Sequence, residues 1–171
     1  MRAIVLILCA VLLNGCLGMP ESVKPVSDFE LNNYLGKWYE VARLDHSFER
    51  GLSQVTAEYR VRNDGGISVL NLGYSEEKGE WKEAEGKAYF VNGSTDGYLK
   101  VSFFGPFYGS YVVFELDREN YSYAFVSGPN TEYLWLLSRT PTVERGILDK
   151  FIEMSKERGF DTNRLIYVQQ Q

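Results

Sequence analysis

The chain has 171 residues, a formal net charge of −5, 44% hydrophobic and 15% aromatic side chains, and only two cysteines and one histidine. That length suits one domain with a full core, while the acidic balance argues against nucleic acid, whose phosphates require a basic face. A single histidine and two cysteines leave no His or Cys cluster for a metal site, and no cofactor is implied.

At the N-terminus Arg2 precedes an apolar run from Ala3 to Leu13, followed by small residues. This is the layout of a secretory signal and is too short to span a bilayer. Cys9 would leave with residues 1–15. The stretch Leu13-Asn14-Gly15-Cys16 resembles a bacterial lipobox, which implies cleavage before Cys16 and acylation of that residue as a membrane anchor. By resemblance to lipoprotein sorting rules, Leu17 in place of an aspartate favours the outer membrane, with the protein facing the periplasm. An ordinary signal cut a few residues later is the alternative. Residues 16–27 read as a lipid-anchored tether, with the polar, Pro-containing MPESVKPVSD separating the lipid from a domain spanning 28–171.

From Gly36 onward the pattern alternates with period two, and eight strands are predicted: KWYEVARL, QVTAEYRVR, ISVLNLGYS, KEAEGKAYFV, GYLKVSFF, SYVVFELDR, YSYAFVSG and YLWLLSR. Turn residues separate them, including Asn63 to Gly66, Asn92-Gly93-Ser94 and Gly128-Pro129-Asn130. Eight antiparallel strands can close into a barrel wide enough for one small ligand. After Arg139 the period becomes helical: Val143, Ile147, Leu148, Phe151 and Ile152 predict one amphipathic helix, with Thr142 as its cap and Gly159 as its stop. The tail FDTNRLIYVQQ reads as a last short extended segment.

Gly36-Lys37-Trp38-Tyr39 resembles the Gly-x-Trp signature of lipocalins, Asp117 to Tyr121 lies where that family has its Thr-Asp-Tyr turn, and Arg139 stands where the family has the arginine ending the eighth strand. With FFGPFYGSY, SGPNTEYLWLLSRTP and the lipobox, the chain is similar to bacterial outer-membrane lipocalins along almost its whole length. One departure is Leu116-Asp117-Arg118 in place of Thr-Asp-Tyr. The resemblance implies an all-β, eight-stranded antiparallel up-and-down lipocalin β-barrel with one C-terminal α-helix.

It also implies a structural barrel floor of Gly36, Trp38 and Arg139, with the guanidinium packed across the indole. Carried along the strands, the family's inward parity points Glu40, Ala42, Ala57, Tyr59, Val69, Ala84, Ala88, Val101, Phe103, Tyr111, Val113, Val126 and Trp135 at the ligand. The same parity turns Ile67, Asn71, Gly86, Leu99, Ala124 and Leu137 inward. Small members such as Ala84, Gly86 and Ala88 would leave room for a lipid tail, and Phe48 and Leu52 would lie at the mouth. Glu40 is expected to pair with Arg139 if buried, or else to reach water. The lone His46 reads as a surface loop residue. No cysteine remains inside the barrel to serve as the nucleophile of the enzymatic lipocalin branch.

The expected function is binding, storage or transport of a fatty acid or lysophospholipid by a non-catalytic, membrane-anchored protein. An envelope scaffold and a lipid-modifying enzyme are the alternatives, and a homodimer is allowed.

Overall fold

Alternating apolar residues bounded by Gly, Asn and Asp turns give each predicted run its strand. The computed structural model describes residues 17–171; the signal segment, Cys9 and Cys16 lie outside the described residues. The strands are β1 (Gly36–Arg43), β2 (Leu52–Val61), β3 (Ile67–Ser75), β4 (Glu80–Phe90), β5 (Tyr98–Phe104), β6 (Phe107–Leu116), β7 (Tyr123–Ser127) and β8 (Leu134–Ser138). Each pairs antiparallel with the next, and β1 pairs with both β2 and β8, so the sheet closes on itself. The tail contributes β9 (Ile166–Tyr167), which pairs with Ala42 and Arg43.

The barrel has two ends of different character. At the floor, a short helix α1 (Leu31–Tyr34), which the sequence reading did not anticipate, crosses beneath the strands. The connections 62–66, 91–97 and 117–122 turn at this end, whereas residues 44–51, 76–79, 105–106 and 128–133 turn at the mouth.

Period-two alternation sorts the apolar side chains into two layers. The inner layer holds Trp38, Tyr59, Ile67, Val69, Ala88, Leu99, Val113, Ala124, Val126 and Leu137. The outer layer holds Phe114, Phe125, Leu134 and Leu136, and α2 (Arg145–Glu157) covers it by burying Phe151, whose ring meets that of Phe125 edge-on at 5.0 Å. Glu144 rather than Thr142 occupies the N-cap of α2, without a side-chain cap, and Gly159 follows the helix at φ +84°.

Residues 19–28 are not the free tether expected from their composition. Met19 and Val23 pack into the outer layer and Val26 into the inner one; Val26 N–H donates to Val113 O at 2.9 Å, and Phe29 N–H to Thr95 O at 2.8 Å. The segment runs down the outside of β6 and under the floor as part of the fold. Burial of Val23 and Val26, with Met19 half-buried, outweighs the polarity of their neighbours.

Candidate functional site

The floor is built around Trp38, which is fully buried and donates its indole N–H to Tyr34 O at 2.8 Å. The Arg139 guanidinium lies 3.9 Å from the indole ring centre. It also donates to the carbonyls of Lys37 and Asn33 at 2.8 Å, of Leu35 at 2.9 Å and of Tyr121 at 3.3 Å. Burial pulls its pKa below the usual arginine value. Gly36 sits at φ +91°, and a Cβ there would lie 3.6 Å from Arg139 Nη1. Left-handed backbone beside a bound guanidinium is the physical reason for glycine at that position. Asp117 organises the nearby turn by accepting from Glu119, Asn120 and Ser122 N–H groups.

Above the floor, strand register assigns the faces. Glu40 stands opposite Leu137 on the inner face, but a bulge follows it, and Ala42 stands opposite Leu136 on the outer face. Ala42 therefore belongs to the layer under α2 and not to the interior, which corrects the parity reading: one extra residue inverts the alternation. The same bulge turns Arg43 inward, opposite Trp135.

Arg43 then takes the partner expected of Arg139. Arg43 Nη1 donates to Glu40 Oε1 at 2.6 Å, and both residues are buried. Arg43 Nη2 reaches the carbonyls of Glu49 at 2.8 Å and Leu52 at 3.3 Å, so the guanidinium draws residues 44–51 over the mouth. This brings in Glu49, which accepts from the Trp135 indole at 3.1 Å. His46 is buried too, against the reading of a surface histidine. Its ring lies among Phe48, Tyr133 and Trp135, and its Nε2 is 2.9 Å from Glu49 Oε2 without the alignment of a hydrogen bond.

Burial, reinforced by the Glu49 charge, holds the Glu40 pKa well above the usual carboxylate range despite Arg43. For Glu49 burial acts in the same sense, but His46 and Trp135 outweigh it and keep this carboxyl below its ordinary value. The two carboxyls are thus pushed in opposite directions, Glu40 up and Glu49 down.

A second polar group lies lower. The Tyr111 hydroxyl shares hydrogen bonds with Tyr34 at 2.6 Å and with Tyr59 at 2.9 Å. Burial drives the pKa of all three upward, so they act as neutral hydroxyls.

Between these groups the wall is apolar. Tyr59, Val69, Ala88, Val113 and Val126 are buried in the inner layer, and Ala57, Val101, Phe103, Tyr111 and Trp135 are partly buried against it. Ala84 stands opposite Asn71 towards the mouth, where it is exposed and outside the inner layer. The space read into Gly86 is taken: a Cβ there would meet the Phe103 ring at 2.8 Å. Leu52 fills the corresponding place over Gly73, while Phe48 projects into solvent. Among the described residues, Arg43 Nε, His46 Nδ1 and Asn71 Oδ1 are buried without a hydrogen-bond partner. An open cleft of about 560 Å³, lined by Asp117, Ser138 and Ile147 among others, lies outside the barrel at the start of α2.

Sequence reasoning missed Tyr34, Arg43, His46 and Glu49. Glu40 and Arg43, three residues apart in β1, were the available signal, since regular alternation would have left one of them facing the helix.

Comparison with known proteins bears on this closed barrel and its floor. The family model for a lipocalin-like domain matches residues 29–170. The outer membrane lipoprotein Blc of Vibrio cholerae is 98% identical over the full length of both chains, and its Escherichia coli counterpart is 52% identical over 88% of this chain and 85% of the relative. Among solved structures, insecticyanin from Manduca sexta superposes with a TM-score of 0.71 at 23% identity, covering 90% of this chain and 87% of that one, a likeness of fold alone. The sequence, the barrel and its floor thus place the chain in the lipocalin family, among its lipid-anchored outer-membrane lipoproteins.

Proposed function

We propose that the barrel interior holds a single-chain lipid with one polar end, a fatty acid or a lysophospholipid, and that Cys16 carries the acyl anchor. Membership of the lipocalin family implies a small lipophilic ligand. The observation that carries the narrower reading is the pairing of an apolar inner wall with three buried, unpartnered polar atoms, Arg43 Nε, His46 Nδ1 and Asn71 Oδ1. Buried polar groups require partners, and a lipid headgroup supplies both donors and acceptors while its tail lies along Val69, Ala88 and Val101.

The test is extraction and mass spectrometry of lipid from protein purified out of membranes, followed by displacement of a fluorescent fatty acid by lysophosphatidylethanolamine. A co-purifying single-chain lipid and competitive displacement are expected; an empty extract together with no displacement refutes the reading. For the anchor, detergent-phase partitioning of the wild type should be lost in Cys16→Ser. Equal recovery of both proteins in the aqueous phase would remove Cys16 as the acylated residue.

A further inference from the structure

The closed end of the barrel carries a hydrogen-bond donor that nothing in the fold accepts. Tyr34 of α1, Tyr59 of β2 and Tyr111 of β6 bring their hydroxyls into a row, with Tyr111 in the middle at 2.6 Å from Tyr34 and 2.9 Å from Tyr59. Burial raises the pKa of each, so all three keep their protons. Three hydroxyls hold three protons, and two contacts use two of them. Among the described residues these hydroxyls have no other hydrogen-bond partner. If Tyr111 accepts from both neighbours, its own proton is left over; if it donates to one of them, that neighbour's proton is left over. Every arrangement leaves one O–H without an acceptor, an arrangement that is costly when buried.

The packing around the row shows which side of it is open. Beneath it the rings of Phe29 and Trp38 lie 5.1 and 4.7 Å from that of Tyr34. Above it Ala57, Val101, Tyr111 and Trp135 face inward yet are only partly buried, and in a closed barrel the surface they keep borders the interior. Ala57 stands opposite Trp38, so that space reaches the level of the floor.

Resting on the reading of the interior as a single-chain lipid site, we propose that the tyrosine row is a second polar subsite, at the closed end, which takes an acceptor oxygen carried by the buried end of the ligand. Two sources supply such an oxygen. A hydroxyl or carbonyl near the end of an acyl chain supplies it when the headgroup lies at Arg43 and His46, about 16 Å along β1 from Trp38. A carboxyl group supplies it when the chain lies reversed. In neither case does a bare methyl end meet the tyrosines.

The experiment measures displacement of a fluorescent fatty acid by palmitic acid and by its ω-hydroxy analogue. It compares the wild type with a variant carrying Tyr34→Phe, Tyr59→Phe and Tyr111→Phe together. A single substitution is no test, because the two remaining hydroxyls still hold a surplus proton, whereas the triple change removes donors and acceptors at once and keeps the ring shapes. With the chain end at the row, the ω-hydroxy acid binds the wild type as tightly as palmitic acid, and the triple variant weakens it about tenfold relative to palmitic acid. With the carboxyl at the row, the triple variant weakens palmitic acid itself about tenfold. Emission of Trp38, left as the sole tryptophan by Trp81→Phe and Trp135→Phe, separates the sources with the hydroxyls intact: α-bromo palmitic acid quenches it in the reversed pose and ω-bromo palmitic acid in the other. Affinities for both acids that do not fall in the triple variant, or a Trp38 quenched by neither bromo acid, overturn the proposal. So does quenching by the ω-bromo acid when the wild type binds the ω-hydroxy acid tenfold or more weaker than palmitic acid, the penalty of an apolar end. Displacement by neither acid from the wild type refutes the lipid site itself, and the subsite falls with it.

Discussion

Arg139 offers its guanidinium to four backbone carbonyls and to the face of Trp38, and no other side chain has that combination of planarity and donors. Arg139→Lys keeps the charge but strands several carbonyls, so a loss of about 1–3 kcal/mol is expected in chemical denaturation, against about 3–5 kcal/mol for Trp38→Ala. A lysine variant as stable as the wild type would reduce the floor to packing alone. The Glu40–Glu49 pair predicts a pH dependence with two limbs. Glu40 ionises above its ordinary value in the fold, so its contribution is complete below that value and is lost as the pH rises towards the raised one. Glu49 is depressed, so its contribution is present above the ordinary value and is lost as the pH falls through the lowered one. Each tenfold change in proton affinity is worth about 1.4 kcal/mol. Glu40→Gln should therefore flatten the alkaline limb of stability against pH and leave the acid limb, whereas an unchanged profile would mean that Glu40 is ionised throughout.

At the scale of elements, the strands and α2 were legible because each carries its own period and its own turn residues, whereas Trp38, Arg139 and the inward-facing set came from the resemblance to lipocalins, whose parity was carried along the strands. The bulge in β1 had one faint mark, the spacing of Glu40 and Arg43; nothing else in WYEVAR shows where alternation slips, yet it exchanges Ala42 for Arg43 on the inner face. Residues 44–51 were beyond the reach of parity as well, since a loop has none, so His46 was misread as a surface residue and Glu49 escaped notice. Met19, Val23 and Val26 follow no period, because they fill gaps in two different layers. The bulge gives a paired test. Ala88→Trp projects into the interior and should abolish displacement of a fluorescent fatty acid with little change in melting temperature. Ala42→Trp overpacks the layer beneath α2, costing about 1–3 kcal/mol while leaving the affinity intact. Clear destabilisation by Ala88→Trp with unchanged affinity would mean that the barrel is filled by its own side chains.

For the whole molecule, the floor seals one end of the barrel, and the strands are joined there through Arg139. The floor has a further consequence, for how fast the chain finds its fold. Arg139 joins carbonyls at Asn33, Leu35 and Lys37, more than 100 residues away in the chain, and the clamp closes only after eight strands have been threaded into a ring. Closing a loop of that length is entropically costly, and a clamp that needs the finished ring is expected to form after the rate-limiting barrier. In stopped-flow measurements Arg139→Lys should accelerate unfolding and leave the refolding rate nearly unchanged, so that the arginine acts as a latch on escape from the native state and not as a guide towards it.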